Sequence, residues 1–178
     1  MTQYDWLLVF LGIGMVIFFT YQRMARALFS LALVWLATLG AAVLYPQAAY
    51  RIQAVASKNP TLVRGLMFDG LFLVFFVAGY VLLKLSFPVT KIPKLGVLDY
   101  LMGLLLGIVI TVIVVTLLLN SMGVMVREQW ETNPQGWSSL RATFYRSQLR
   151  PYTSQVLAAY QWVFYPFFGN LPPVLVPQ

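Results

Sequence analysis

Leu101 to Leu119 reads LMGLLLGIVITVIVVTLLL, nineteen residues without a charge. A helix rises about 1.5 Å per residue, and a hydrocarbon layer about 30 Å thick takes roughly 20 apolar residues to cross. The stretch therefore reads as a membrane-spanning helix, and the segments on either side are weighed against it.

Upstream, a second long apolar stretch runs from about Leu66 to Phe87, with Asp69 near one end and Lys84 near the other, where the lysine can snorkel to the headgroups. The Pro-rich basic link Pro88 to Lys94 joins it to the first-quoted helix. Two shorter spans are expected nearer the start, from about Trp6 to Thr20 and from about Ala27 to Tyr45, with a turn through Gln22, Arg23 and Arg26. Trp6, Tyr21 and Tyr45 would sit in the aromatic belt at the headgroups. The first span reads as a retained anchor rather than a signal peptide, because Asp5 and no cation precede it and no A-x-A-like site follows. Pro46 is expected to end the second span. Gln47 to Lys58 (QAAYRIQAVASK) is too polar and short to cross, and reads as a helix lying at the interface between spans two and three. Thr61 is the expected N-cap of the third span.

Beyond Asn120 the composition changes. Residues 124 to 150 carry two acids and four arginines, with a turn-like Asn133-Pro134-Gln135-Gly136. Residues 151 to 168 are rich in Tyr, Trp and Phe but broken by prolines, and are expected to lie along the membrane surface, followed by an extended Pro172–Pro177 ending. The reading is an all-α integral membrane protein with four transmembrane helices over residues 1–122, then a polar linker and a membrane-associated C-terminal segment over residues 123–178. Arg23, Arg26, Lys84, Lys91 and Lys94 face Arg51, Lys58, Arg64 and Arg127 across the bilayer, and this slight excess predicts both termini outside the cytoplasm.

Composition points the same way. Hydrophobic residues make up 60% of the chain and charged ones 10%, with a mean hydropathy of +0.78, where a soluble domain carries roughly 25% charged residues. The absence of Cys and His removes thiolate and imidazole metal ligands, haem ligation by histidine and every Cys/His or Ser/His catalytic pair. No cofactor, metal or enzymatic activity is expected. The net charge of +7 is spread between apolar segments, which fits contact with anionic headgroups and not nucleic acid. Of the five carboxylates, Glu128 and Glu131 lie on a polar stretch and read as solvated.

Three groups of residues are candidates for a special role. Gly103, Gly107 and Thr111 fall on one face of the fourth helix, where small side chains let backbones approach closely; the face suits one of the protein's own helices or a partner. Asp99 precedes that helix and either caps it or forms an ion or proton site; if four spans alternate in direction, Arg23 and Arg26 share its membrane surface, and Asp99 is expected to pair with Arg26. Asp69 is an intramembrane carboxylate, a costly feature often tied to ion or proton movement, unless water or Arg64 reaches it.

Several of these residues also carry a family likeness. Arg23 to Ser30 (RMARALFS), Leu98-Asp99 with Gly103 and Gly107, and Ser147 to Pro151 (SQLRP) together resemble elements of the colicin V production protein family of small bacterial inner-membrane proteins. Arg23 stands where the family pattern has a turn glycine, Tyr100 where an arginine is common, and Thr111 where a third glycine often falls. The resemblance implies a multi-pass inner-membrane protein that supports envelope function or colicin V export, and supplies no catalytic residues. The alternative is an accessory subunit of a larger membrane complex, such as an energy-transducing assembly. On either reading the partners are the lipid bilayer and membrane proteins or further copies of the chain.

Overall fold

The computed structural model describes residues 2–56, 59–86, 96–168 and 171–177; the second link, Pro88 to Lys94, lies outside them. Helices α1 (Gln3–Ala56), α2 (Pro60–Ser86) and α3 (Val97–Met125) carry the fold, followed by α4 (Pro134–Arg146), α5 (Arg150–Phe164) and two single 3₁₀ turns at Tyr165–Phe167 and Pro173–Leu175. No strand occurs among the described residues.

α1 is broken once, at Arg23, whose backbone sits at φ 67 and ψ 174. There the element folds back, so that a first arm (residues 3–22) and a second arm (residues 24–56) lie side by side. Phe19 of the first arm and Val34, Ala37 and Ala41 of the second share one core with Ile110, Val114 and Leu117 of α3. Tyr80 of α2 joins the same two arms: Gln22 hydrogen-bonds to its hydroxyl, its ring lies 5.6 Å from that of Phe18, and neighbouring Gly79 abuts Leu33.

The remaining contacts fix directions. α3 runs against the first arm, with Gly103 facing Arg23, Gly107 facing Phe19 and Leu119 packed with Leu8. α2 runs against the second arm, with Gly79 at Leu33, Gly40 at Phe75 and Tyr45 edge-on to Phe68 at 6.0 Å. α2 and α3 are antiparallel, because Gly65 meets Met125 while Asp69 meets Ser121. Small residues line the contacts, and large apolar side chains such as Phe10, Leu36, Leu73, Leu82 and Leu105 point outward. In lipid outward apolar side chains carry no penalty, and close van der Waals packing holds the helices together.

Pro46 does not end the second span. The helix runs through it to Ala56, so no separate interfacial helix begins at Gln47, and only Ser57 and Lys58 of that stretch fall outside the described residues. Proline removes one N–H and crowds the carbonyl four residues back. Here that residue is Ala42, buried like Ala41 and Ala49, and Tyr45 is pinned on Phe68, so packing on both sides of the proline holds the helix. Thr61 is likewise not a cap, because α2 already starts at Pro60 with Thr61 buried inside its first turn.

The tail differs most from expectation. α5 forms despite Pro151, which occupies the first turn where a missing N–H costs nothing. Leu157, Phe164, Val174 and Leu175 are buried in the same core as Val34 and Ile110, and the Tyr160 hydroxyl lies 3.4 Å from that of Thr38. The ending is a 3₁₀ turn, not an extended strand. The Asn120 amide donates to the carbonyls of Val174 and Val176, and Gln161 donates to that of Leu175. Irregular backbone against an apolar bundle needs such partners. The tail is therefore no detached surface helix, although Tyr152, Trp162, Tyr165 and Phe167 still point outward.

Candidate functional site

Among the described residues a polar node lies at each end of α3. The first is built by the break in α1. A helix that restarts at Met24 leaves its first N–H groups without intrahelical partners. Asp99, in the first turn of α3 and 1% exposed, places Oδ1 3.0 Å from the Met24 N–H and Oδ2 3.8 Å from Arg23 Nη1. The N-cap position of α3 itself is Gly96, which makes no side-chain cap bond. Asp99 thus serves the N-terminus of the neighbouring arm, where the aligned backbone dipoles favour an anion. Arg23 also donates to the Tyr100 hydroxyl at 2.8 Å, with its guanidinium 4.8 Å from that ring's centre. Arg26 lies three residues further along the second arm, half-buried.

Gly103, Gly107 and Thr111 continue upward from this node along the contact with the first arm. A Cβ on Gly103 would stand 3.0 Å from the Arg23 Cα, one on Gly107 2.9 Å from the Phe19 Cβ, and one on Gly12 3.1 Å from the Thr111 methyl. The stripe faces the protein's own first arm in this fold.

Arg23 holds its turn under strain. Its φ and ψ lie in a region used almost only by glycine, at a cost on the order of 1–3 kcal/mol for other residues. Arg23→Gly and Arg23→Ala both delete the guanidinium and differ in the Cβ. The glycine variant is expected to be more stable by about 1 kcal/mol or more. Apparent melting temperatures in one detergent would measure this, and an alanine variant at least as stable would refute the strained turn.

The second node joins α1, α3 and the tail. Asp5 is fully buried and accepts hydrogen bonds from the Thr2 N–H at 2.8 Å, the Ser147 hydroxyl and the Gln148 N–H at 3.4 Å. Thr2 returns the bond by accepting the Asp5 N–H at 3.2 Å, which completes a capping box at the start of α1. The sequence reading gives Asp5 no capping role, although the T-x-x-D spacing before an apolar run signals this box. Its link to Ser147, 142 residues away, has no local signal. On the other side of α3, Ser121 donates to Asp69 at 2.8 Å, within electrostatic reach of Tyr4.

Chemically, these nodes cap and pin helices. Among the described residues no group of three or more His, Cys, Asp or Glu side chains is placed to hold a metal ion. Among the described residues three helical elements are long and apolar enough to cross a membrane, which makes this a helical transmembrane protein. The chain belongs to the colicin V production protein family, whose model matches residues 4–157, from the capping box at Asp5 to the middle of α5. No curated protein and no solved structure matches it.

Proposed function

We propose that the protein is a non-enzymatic, four-span component of the bacterial inner membrane that supports envelope function or export by organising other membrane proteins or copies of itself. The break at Arg23 divides α1 into two arms of near-spanning length, which with α2 and α3 makes four antiparallel rods. Both ends of the chain then lie on one side, outside the cytoplasm.

The observation that carries the reading is the bareness of α2. Only 11% of its spanning window is buried, against 39% for each of α1 and α3. A pump or carrier encloses its pathway, whereas this bundle leaves one of its rods open to lipid or to a neighbour. The same bareness favours the second reading, an accessory subunit whose partner covers α2.

Purification in mild detergent and native mass measurement separate these readings. A homo-oligomer is the expected result, a defined hetero-complex would establish the accessory subunit, and a lone monomer would overturn both. For orientation, a reporter that works only in the cytoplasm should stay silent when fused after Gln178; an active fusion reverses the topology.

A further inference from the structure

Between the first arm, α2 and α3 the packing leaves an apolar groove of about 490 Å³, open on one side, with Leu11, Met15, Phe18, Phe72, Phe76 and Val114 among its walls. That size lies within the roughly 300–1,000 Å³ typical of small-molecule sites. One ionisable side chain lines it, Asp69. Its Oδ2 accepts from the Ser121 hydroxyl, which is equally placed to donate to the Leu118 carbonyl at 2.9 Å. A serine has one hydroxyl proton, so the two acceptors share it. A carboxylate accommodates about four hydrogen bonds, and this one receives part of one. Among the described residues no Lys or Arg lies within ion-pair distance of Asp69, which is only partly buried.

A carboxylate set in apolar walls and short of donors is stabilised in its charged form by a counter-ion. The walls decide which kind. A small hydrated cation would have to shed its water for phenylalanine and leucine, which offer no oxygen ligands. A cation whose charge is wrapped in apolar groups sheds little, and walls that include Phe18, Phe72 and Phe76 suit such a ligand. We propose that this groove binds a lipophilic monovalent cation, with Asp69 as its counter-ion and the phenylalanines as its aromatic wall. Such a ligand reaches the site through the membrane, by the open side of the groove. The proposal is independent of whether the protein scaffolds partners or serves a larger complex.

The test is tetraphenylphosphonium binding to the full chain in nanodiscs of zwitterionic phosphatidylcholine, with empty nanodiscs subtracted and tetraphenylborate as the anion of matching shape. Saturable binding of the cation, and no saturable binding of the anion in a separate titration, is the expected result. Asp69→Asn keeps an acceptor for Ser121 but no charge, and should weaken binding about tenfold or more, the scale of losing a charged contact in a dry site. Gly70→Phe fills the groove from a position whose Cβ meets nothing within 4 Å, leaves Asp69 in place, and should abolish binding. Non-saturable uptake, equal uptake of the two ions, or unchanged affinity in Asp69→Asn overturns the proposal. If Asp69→Asn fails to fold, Gly70→Phe decides alone: retained binding places the cation elsewhere.

Discussion

Gly103→Leu is expected to separate the first arm from α3 and to destabilise the bundle strongly. At this position the first added carbon already lies 3.0 Å from the Arg23 Cα, 3.1 Å from its carbonyl carbon and 3.2 Å from the Phe19 carbonyl oxygen. All three are backbone atoms, so no rotamer change can clear the way. Overpacking of this kind costs typically about 1–3 kcal/mol when side chains can yield, and backbone contact puts it at the upper end or beyond. For a chain this size each kcal/mol moves the melting temperature by about 2–4 °C. Gly107→Leu should cost about as much, because its nearest neighbour, the Phe19 Cβ at 2.9 Å, is fixed to the backbone and no rotamer moves it. The control is Gly14→Leu on the first arm, where a Cβ meets nothing within 4 Å, and which should leave the melting temperature nearly unchanged. If Gly103→Leu melts with Gly14→Leu, the close approach of arm and helix is wrong.

The face on α3 is legible in the sequence because it is periodic, since Gly103, Gly107 and Thr111 at four-residue spacing can only be one helix face, while the element that meets it is not. The apolar stretches were legible for a similar reason, since a spanning helix must be apolar along its whole length whatever it packs against. The turn was visible in its charges, Arg23 and Arg26, though not in its conformation, because an arginine gives no sign of a positive φ. What stayed hidden depends on contacts between distant segments. Pro46 reads as a stop by every local rule, and only the packing of Tyr45 on Phe68 and of the small residues around it carries the helix through. The tail reads as amphipathic and aromatic, which is the signature of a surface helix. Nothing near Leu157 or Phe164 announces that α3 and the second arm leave a place for them, or that Asn120 will hold the carbonyls of Val174 and Val176. That Asp99 accepts the Met24 N–H has no sign in the sequence, which cannot show that a neighbour's helix begins beside it.

Asp99 gives the second large effect, and its variants separate three roles of one carboxylate. It accepts the Met24 N–H, stands 3.8 Å from the Arg23 guanidinium and is almost wholly buried. Asp99→Leu removes all of this and leaves an N–H and a half-buried cation uncompensated. Breaking a buried pair from one side costs roughly 3–5 kcal/mol. Arg23 is 23% exposed and keeps its bond to Tyr100, so the loss is expected toward the lower part of that range. Asp99→Asn keeps an oxygen for the Met24 N–H and loses only the charge, so it should retain most of the stability. Asp99→Arg should be the worst, since it sets a second cation against Arg23 and against the positive end of the second arm. Adding Arg23→Asp to Asp99→Arg restores opposite charges but returns no acceptor to the Met24 N–H, so recovery should be partial. Apparent melting temperatures of the four variants in one detergent provide the measurement. The expected order, from most to least stable, is Asp99→Asn, Asp99→Leu, the double swap, Asp99→Arg. If Asp99→Asn falls as far as Asp99→Leu, charge and not the shared cap holds the hairpin to α3. A double swap no better than Asp99→Arg alone would remove the ion pair with Arg23 from the account and leave the cap to carry the node by itself.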